Sequence, residues 1–153
     1  MRVSQLMSGN VVRLYEDARL DLAADLMRQN RIRHLPVVRD GELVGIVSQR
    51  DLFRAGLSTM LNLQPSTDEE WLKCVLVRDV MVTDLITIAP DTDVEEAVTR
   101  LLDHRIGCLP VVADGKLIGL LSETDCLRFL RRILRSTEVK RRIAEEEPLA
   151  DFG

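Results

Sequence analysis

Residues 35–45 have the sequence LPVVRDGELVG, and residues 109–119 have the sequence LPVVADGKLIG. The two stretches lie 74 positions apart, and the same offset aligns residues 3–52 with residues 77–126 without a gap. That alignment contains 16 identities in 50 pairs. Because self-similarity at a fixed offset indicates duplicated structural units, the chain contains two copies of one unit.

Each copy predicts the element order strand, helix, strand, strand, helix. The Asp-Gly pair between two apolar, β-rich runs favours a tight hairpin in each copy. Apolar residues at helical spacing precede the hairpins, with Asp17 as the predicted cap of the first helix and Thr92 and Glu95 at capping-box spacing in the second. A short buried strand is expected at the start of each copy, from the apolar residues Val11, Val12, Leu14, Leu85, Ile86 and Ile88.

A unit of about 50 residues is too small to bury much of its own surface, so the two copies must share a core. We therefore expect an α/β (α+β) fold in which the two units pack sheet to sheet with pseudo-twofold symmetry and form clefts between them. The predicted units span residues 1–57 and 77–135, and a basic helical tail with a frayed end occupies 136–153. A helical insert is expected at 58–76. In it, one helix continues to Pro65, and a second starts at Thr67 and buries Trp71.

Composition narrows the function classes. The 153 residues include 46% apolar and 30% charged residues with a net charge of −4, which indicates a folded protein and does not favour nucleic-acid binding. No apolar run is long enough to span a membrane, and the first residues lack the pattern of a signal peptide, so we expect a cytoplasmic protein. Cys74, Cys108 and Cys126 show no metal-binding spacing and are expected to be buried, inert thiols. With His34 and His104 the only histidines, catalysis and metal binding are disfavoured.

The motifs themselves resemble a known family. Residues 31–38 (RIRHLPVV) and 45–51 (GIVSQRD) correspond to residues 105–112 (RIGCLPVV) and 119–125 (GLLSETD). This pair strongly resembles tandem CBS domains, also called a Bateman module, over about residues 1–135. The insert and the RHLPVV and GCLPVV pair are similar to small bacterial modules of the acetoin-utilisation type.

The resemblance implies a regulatory module without catalytic activity. Members of this family bind adenosine compounds (AMP, ADP, ATP or S-adenosylmethionine) between the two copies, with the motif Gly-x-x-Ser/Thr-x-Ser/Thr-Asp at a strand-to-helix turn. That motif suits the ligand, because a helix N-terminus attracts phosphate and hydroxyl groups add hydrogen bonds. The resemblance also implies a homodimer and a regulated partner protein, which the sequence does not identify.

The second copy keeps the whole motif, with Gly119 at its start. Asp125 is assigned to the ribose hydroxyls, and Ser122 and Thr124 to phosphate. The apolar wall of this cleft is expected to come from the first copy, at Val11, Val12, Ile32 and Pro36. The alternative is that Ser122 and Asp125 are ordinary helix caps.

The first copy departs from the motif. Gly45, Ser48 and Asp51 match it, but Arg50 stands where a hydroxyl is usual. Two interpretations stay open: Arg50 favours a polyphosphate such as ATP, or it pairs with a carboxylate such as Asp51 and fills the cleft. The remaining residues assigned to this cleft are Arg33 and His34, which would face the phosphates, and Leu85, Ile86 and Pro110, which would form the far wall.

A basic segment follows the second motif. Residues 127–143 contain seven Arg and Lys residues against one Glu, a net charge of +6. Packing against the body of the protein or against a second protomer is favoured over membrane or nucleic-acid contact, because aromatic anchors are few and an acidic run follows.

Two rival functions stay open: an interaction scaffold with empty clefts, and a small nucleotide-processing enzyme that would rely on Asp51, Asp125 and His34.

Overall fold

The structure, a computed structural model, describes residues 1–62, 68–136 and 141, and the side chains of 1–56, 70–136 and 141. The first copy consists of β1 (Leu14–Tyr15), α1 (Leu20–Asn30), β2 (His34–Arg39), β3 (Glu42–Ser48) and α2 (Gln49–Asn62). A short helix, α3 (Asp68–Leu72), follows. The second copy consists of α4 (Val94–His104), β4 (Cys108–Ala113), β5 (Lys116–Ser122) and α5 (Glu123–Leu134). A 3-10 turn opens each copy, at Val3–Gln5 and Val77–Asp79.

The strands form a sheet of order β1-β2-β3-β5-β4. β1 runs parallel to β2, and the two hairpins β2–β3 and β4–β5 are antiparallel. The hairpins of the two copies meet along β3 and β5, where Glu42 pairs with Lys116. The mixed α/β class and the duplicated unit are therefore confirmed.

Both hairpins turn at the predicted Asp-Gly pairs. Asp40 and Gly41 have φ of 51° and 81°, and Asp114 and Gly115 have φ of 50° and 76°. Positive φ at both central residues defines the turn whose twist matches that of the flanking strands, and Asp followed by Gly is one of the sequences that favour it. The Asp-Gly pairs therefore predicted the position of both hairpin turns correctly.

The strand predicted at the start of each copy is shorter in the structure than expected, so this prediction is wrong in extent. β1 contains two residues, and in the second copy Ile88 makes only an isolated bridge to Val111. Val11, Val12, Leu85 and Ile86 lie in irregular backbone and are half-buried. These residues leave the sheet because each pair turns into a cleft between the copies instead of continuing along β2 or β4.

The helix caps expected at Asp17 and Thr92 are also wrong. The residues that precede α1 and α4 are Arg19 and Asp93, and neither side chain makes a capping hydrogen bond. The first N–H of each helix donates instead to a backbone carbonyl in the segment that leads into the other copy. These two hydrogen bonds join Leu20 N to Val75 O (3.0 Å) and Val94 N to Met1 O (2.9 Å).

The segments that lead into the two copies are exchanged. Val3 N donates to Thr92 O at 2.9 Å, and Val77 N donates to Ala18 O at 2.7 Å, so each segment is bonded to the copy that it does not precede in sequence. Val3 belongs to the hydrophobic core of the second copy and Val77 to that of the first, and both side chains are fully buried. Trp71 packs against the first core, as expected.

The predictions for the insert and the tail fall largely on residues that the structure does not describe. Pro65 and Thr67 lie outside the described residues, as does the tail 136–153 apart from Ser136 and Arg141. The expectation of three buried thiols is wrong for two of them, because Cys74 is exposed in the turn after α3 and Cys126 is half-buried. Cys108 is buried, which raises the pKa of its thiol to about 12. Within the described ranges, no helix has the length and apolar character needed to cross a membrane.

Candidate ligand-binding clefts

The two motif turns have the same geometry in both copies. At the start of α2, Asp51 Oδ2 accepts hydrogen bonds from Ser48 N and Ser48 Oγ, both at 2.7 Å, and Ser48 Oγ accepts one from Asp51 N at 3.1 Å. At the start of α5, Asp125 Oδ2 accepts from Ser122 N at 2.9 Å and from Ser122 Oγ at 2.7 Å, and Ser122 Oγ accepts from Asp125 N at 3.2 Å. Each motif is thus a complete helix cap.

The cap uses one carboxylate oxygen of Asp125 and leaves the other facing the cleft. Asp125 Oδ1 lies 3.5 Å from Ser8 Oγ and 3.7 Å from a guanidinium nitrogen of Arg128. The hydroxyl proton of Ser122 is already donated to Asp125. The capping and binding interpretations of Asp125 are therefore compatible, because different oxygens serve them, whereas the hydroxyl proton of Ser122 is committed.

The motif glycines are required by the exchanged segments. A Cβ atom on Gly45 would lie 2.5 Å from Met81 Sδ, and one on Gly119 would lie 2.5 Å from Met7 Sδ and 3.1 Å from the carbonyl oxygen of Ser8. Real Cβ atoms do not approach so closely. The glycine at the start of each motif therefore admits the methionine of the other copy's segment beside the strand.

The second-motif cleft has a volume of about 180 Å³. Of the seven residues predicted for it, the structure brings six together in its lining: Ser122, Thr124, Asp125, Val11, Val12 and Ile32. Pro36 does not line this cleft, because it lies within β2, opposite Ile46, and is fully buried. Sequence reasoning missed Ser8 and Asn10, which the exchanged segment brings here, and Arg31 and Arg128.

The first-motif cleft is larger, with a volume of about 610 Å³. The structure brings together all eight residues predicted for it, namely Ser48, Arg50, Asp51, Arg33, His34, Leu85, Ile86 and Pro110. Arg50 is exposed, and among the described residues no salt bridge joins it to Asp51. The interpretation in which Arg50 pairs with Asp51 is thus not what the structure shows. Sequence reasoning missed Arg54, which lies on α2, and Arg105, which follows the end of α4.

A family profile described as the CBS domain matches residues 3–58 and 77–132. The chain belongs to the CBS domain family. It is 35% identical over 134 residues to a CBS domain-containing protein of Dictyostelium discoideum, an alignment that covers 86% of this chain and 92% of the relative. It also matches a homoserine O-acetyltransferase of Methanococcoides burtonii and an inosine-5'-monophosphate dehydrogenase of Thermoplasma acidophilum, but it spans only 24% and 23% of their lengths.

Solved structures share the fold of this CBS pair. A crystal structure of a protein from Vibrio cholerae assigned to acetoin utilization (AcuB) superposes with a TM-score of 0.76 and 32% identity, over 97% of this chain and 98% of that one. The CBS domain pair of protein MJ0100, in complex with 5'-methylthioadenosine and S-adenosyl-L-methionine, superposes with a TM-score of 0.73 and 23% identity, over 87% and 98% of the two chains. The recognition of a tandem CBS protein is confirmed.

Among the described residues, both clefts of the CBS pair are lined by more cations than anions. The second cleft is lined by three arginines, Arg31, Arg33 and Arg128, against the carboxylate of Asp125. The first cleft is lined by four arginines against three carboxylates: Arg33, Arg50, Arg54 and Arg105 against Asp51, Asp84 and Glu123. Guanidinium groups bind phosphate and carboxylate oxygens in pairs, so each cleft is suited to a ligand that carries negative charge.

His34 stands at the first cleft as a half-buried imidazole. Burial lowers its pKa below the usual value of 6.5, and the neighbouring Arg33 lowers it further. Glu123 and Asp51 oppose this effect, and Arg50 adds to it. Since the pKa of His34 is lowered, the ring is neutral at pH 7 and is protonated only under more acidic conditions.

The basic segment begins on α5, and its arginines reach the surface. Arg128, Arg131, Arg132 and Arg135 line a groove of about 510 Å³ with Gln5 and Leu6, and the guanidinium of Arg132 lies 5.2 Å from the ring centroid of Phe129. The arginines of α5 are exposed. The leucines of α5 are exposed as well: Leu127 by 64%, Leu130 by 48% and Leu134 by 44%. Neither set is covered by the described part of the chain.

Proposed function

We propose that this CBS pair is a non-catalytic regulatory module that binds an adenosine compound (AMP, ADP, ATP or S-adenosylmethionine) in the clefts between its two copies. The observation that supports this most strongly is the composition of the clefts. Each combines a capped helix N-terminus, an excess of arginines and an apolar wall contributed by the other copy. The complex of protein MJ0100 with two adenosine compounds is consistent with the proposal.

In the second cleft we assign the ribose hydroxyls to Asp125 Oδ1, since Oδ2 is occupied by the helix cap. The phosphate role falls mainly to Thr124 and Arg31, because the hydroxyl proton of Ser122 is already donated. Val11, Val12 and Ile32 would pack against the adenine ring. Apolar side chains can bury the faces of an adenine ring, while backbone groups bond to its polar edge.

In the first cleft the larger volume and the four arginines favour a ligand with more phosphate groups, such as ADP or ATP. Arg50 and Arg33 would bind the phosphates, and Leu85, Ile86 and Pro110 would form the wall opposite Asp51. These residues supply apolar contact and charge for binding, and none of these roles involves a chemical change in the ligand. Binding would favour one arrangement of the two copies over another, and a partner protein would respond to that arrangement.

We also propose that the protein forms a homodimer through α5. Leu127, Leu130 and Leu134 recur at helical spacing and form one exposed apolar stripe. A contiguous apolar helix face on a small protein is costly to leave in water, and a second copy of the same face is a self-complementary way to cover it. The flanking arginines would then lie at the rim of the interface.

The test is a thermal-unfolding series with AMP, ADP, ATP, S-adenosylmethionine and GTP. A ligand at about a hundred times its dissociation constant adds roughly 2.7 kcal/mol, which corresponds to a shift of about 5–11 °C for a chain of this size. Asp125→Ala and Asp51→Ala form a matched pair, because each removes one equivalent helix cap and one cleft carboxylate. We expect an adenosine-specific shift, measured from each variant's own midpoint, that at least one of the two substitutions removes.

Two outcomes would overturn the proposal. If none of the adenosine compounds shifts the midpoint and a partner protein binds equally well without nucleotide, the chain is an interaction scaffold with empty clefts. If ATP loses phosphate at a catalytic rate, and Asp51→Ala or Asp125→Ala abolishes that loss, the chain is a nucleotide-processing enzyme.

A further inference from the structure

The two clefts are separated by one wall that both share. Among the described residues, four line both cavities: Arg33, His34, Gly107 and Cys108. The offset of 74 residues that relates the two copies converts Arg33 into Gly107 and His34 into Cys108. The shared wall is therefore made of two equivalent dipeptides, one from each copy, and lies where the symmetry of the fold brings them together.

The two copies contribute chemically different side chains to this wall. The first copy contributes a guanidinium and an imidazole, and the second copy contributes neither charge nor a long side chain. The thiol of Cys108 stays protonated, since burial raises its pKa to about 12. All the positive charge of the wall therefore belongs to the first copy, although the wall faces two binding sites.

Packing leaves little room for a matching side chain in the second copy. A Cβ atom on Gly107 would lie 3.0 Å from His34 Cε1 and 3.4 Å from Glu123 Oε2. The imidazole thus crowds position 107 and would have to shift by a few tenths of an ångström to admit a side chain there. Because the first copy supplies a guanidinium and an imidazole at this position and the second copy supplies neither, one guanidinium serves two clefts.

We propose that the two clefts compete for Arg33, so that phosphate-bearing adenosine ligands bind with negative cooperativity while uncharged adenosine binds to the two clefts independently. The inference rests on the proposed function. When one ligand engages Arg33, the other cleft loses that guanidinium and faces an additional anion across the shared wall. Both effects weaken the second binding event, and neither applies to a ligand without phosphate.

The competition makes the response to charged ligands graded. A first ATP would bind to the intact set of arginines, and a second would bind only at a higher concentration. Since coupling is reciprocal, filling either cleft must weaken the other by the same factor. Asymmetry at positions 33 and 107 would thus let two similar clefts respond over a wider range of ligand concentration than two independent copies could.

The experiment is isothermal titration of the full chain with ATP and, separately, with adenosine. Asp51→Ala and Asp125→Ala each disable one cleft, and the one that abolishes the tighter ATP step identifies the tight cleft. If the clefts are independent, the remaining cleft of that variant will bind ATP with the same weak affinity that the unmodified chain shows in its second binding step. We expect the remaining site to bind ATP at least fivefold more tightly than that second step, and to bind adenosine with no change. If the unmodified chain binds only one ATP, and the variant binds one ATP in the other cleft, the proposal is supported in its strongest form.

Arg33→Gly supplies the decisive control, since it gives the first copy the residue that the second copy carries. In this background only the repulsion between the two ligands remains, so disabling the tight cleft should change the ATP affinity of the other by much less than in the unmodified chain. Equal ATP affinities with and without an occupied neighbour, or coupling of undiminished size in Arg33→Gly, would overturn the inference while leaving the proposed function intact. A single ATP step that disappears without replacement would do the same. Absence of any binding of ATP or adenosine would overturn both.

Discussion

His34 links the stability of the protein to pH near neutrality. Its pKa is lowered in the folded state, chiefly by burial and then by Arg33, whereas in the unfolded chain it returns to about 6.5. As the pH falls from 7.5 to 5.5 the unfolded state takes up a proton before the folded state does, so the free energy of unfolding decreases. Glu123 and Asp51, which face the ring, reduce this loss without reversing it.

We therefore expect the urea midpoint of the ligand-free protein to fall between pH 7.5 and pH 5.5, and His34→Gln to remove most of that fall. His104→Gln is the matched control, because His104 is exposed at the end of α4. Equal pH dependence in the unmodified protein and in His34→Gln would contradict the assignment. With a phosphate ligand bound, the added negative charge favours the protonated ring, so binding should strengthen as the pH falls.

Most of the cleft residues were predictable because both motifs resemble those of CBS domains, whose ligand-binding positions could be carried over to each copy residue by residue. Pro36 was misplaced because the two clefts are not identical: its equivalent Pro110 lines the first cleft, whereas Pro36 is fully buried and does not line the second. Ser8 was missed for a different reason: its segment crosses to the other copy, and nothing in its local sequence signals the crossing.

The exposed leucine stripe of α5 is the proposed contact surface of the homodimer. If α5 forms the homodimer, Leu130→Glu places a charge in the apolar interface and should weaken dimerisation about tenfold or more. Sedimentation equilibrium would show a shift from twice the chain mass toward the chain mass. The fold should survive, because Leu130 is 48% exposed.

Leu102→Glu provides the control for that substitution. Leu102 is 69% exposed on α4, outside the α5 stripe. It should leave the mass unchanged. An equal loss of dimer with Leu102→Glu, or a protein that is monomeric at high concentration before any substitution, would contradict the proposed interface.

Elements with strong local signals were predicted well, and those that depend on tertiary contacts were not. The Asp-Gly turns are determined by two residues whose backbone preference suits positive φ. The starts of α1 and α4 instead depend on carbonyl groups of Val75 and Met1, about 55 and 93 residues away in the chain. No side-chain pattern near Asp17 or Thr92 could reveal that the cap is supplied by the backbone of a remote segment.

At the scale of the whole molecule, the exchanged segments make the two copies interdependent. Val3 completes the core of the second copy, Val77 completes that of the first, and equivalent hydrogen bonds accompany both. A ligand that changes how one copy sits on the other must therefore act through both cores. This arrangement suits a module whose proposed output is the relative position of its copies.

The single tryptophan makes this interdependence measurable. Trp71 packs against the core of the first copy, whereas Val3 is buried in the core of the second. Val3→Ala removes two methyl groups and should cost about 2 kcal/mol, which lowers the midpoint of thermal unfolding by roughly 4–8 °C. If the copies unfold as one body, Trp71 fluorescence and far-ultraviolet circular dichroism will report the same lowered midpoint, and the matched variant Val77→Ala will behave alike. A fluorescence transition that stays in place in Val3→Ala while the dichroism transition splits would mean that the copies unfold separately, and that the exchanged segments do not transmit a change from one cleft to the rest of the protein.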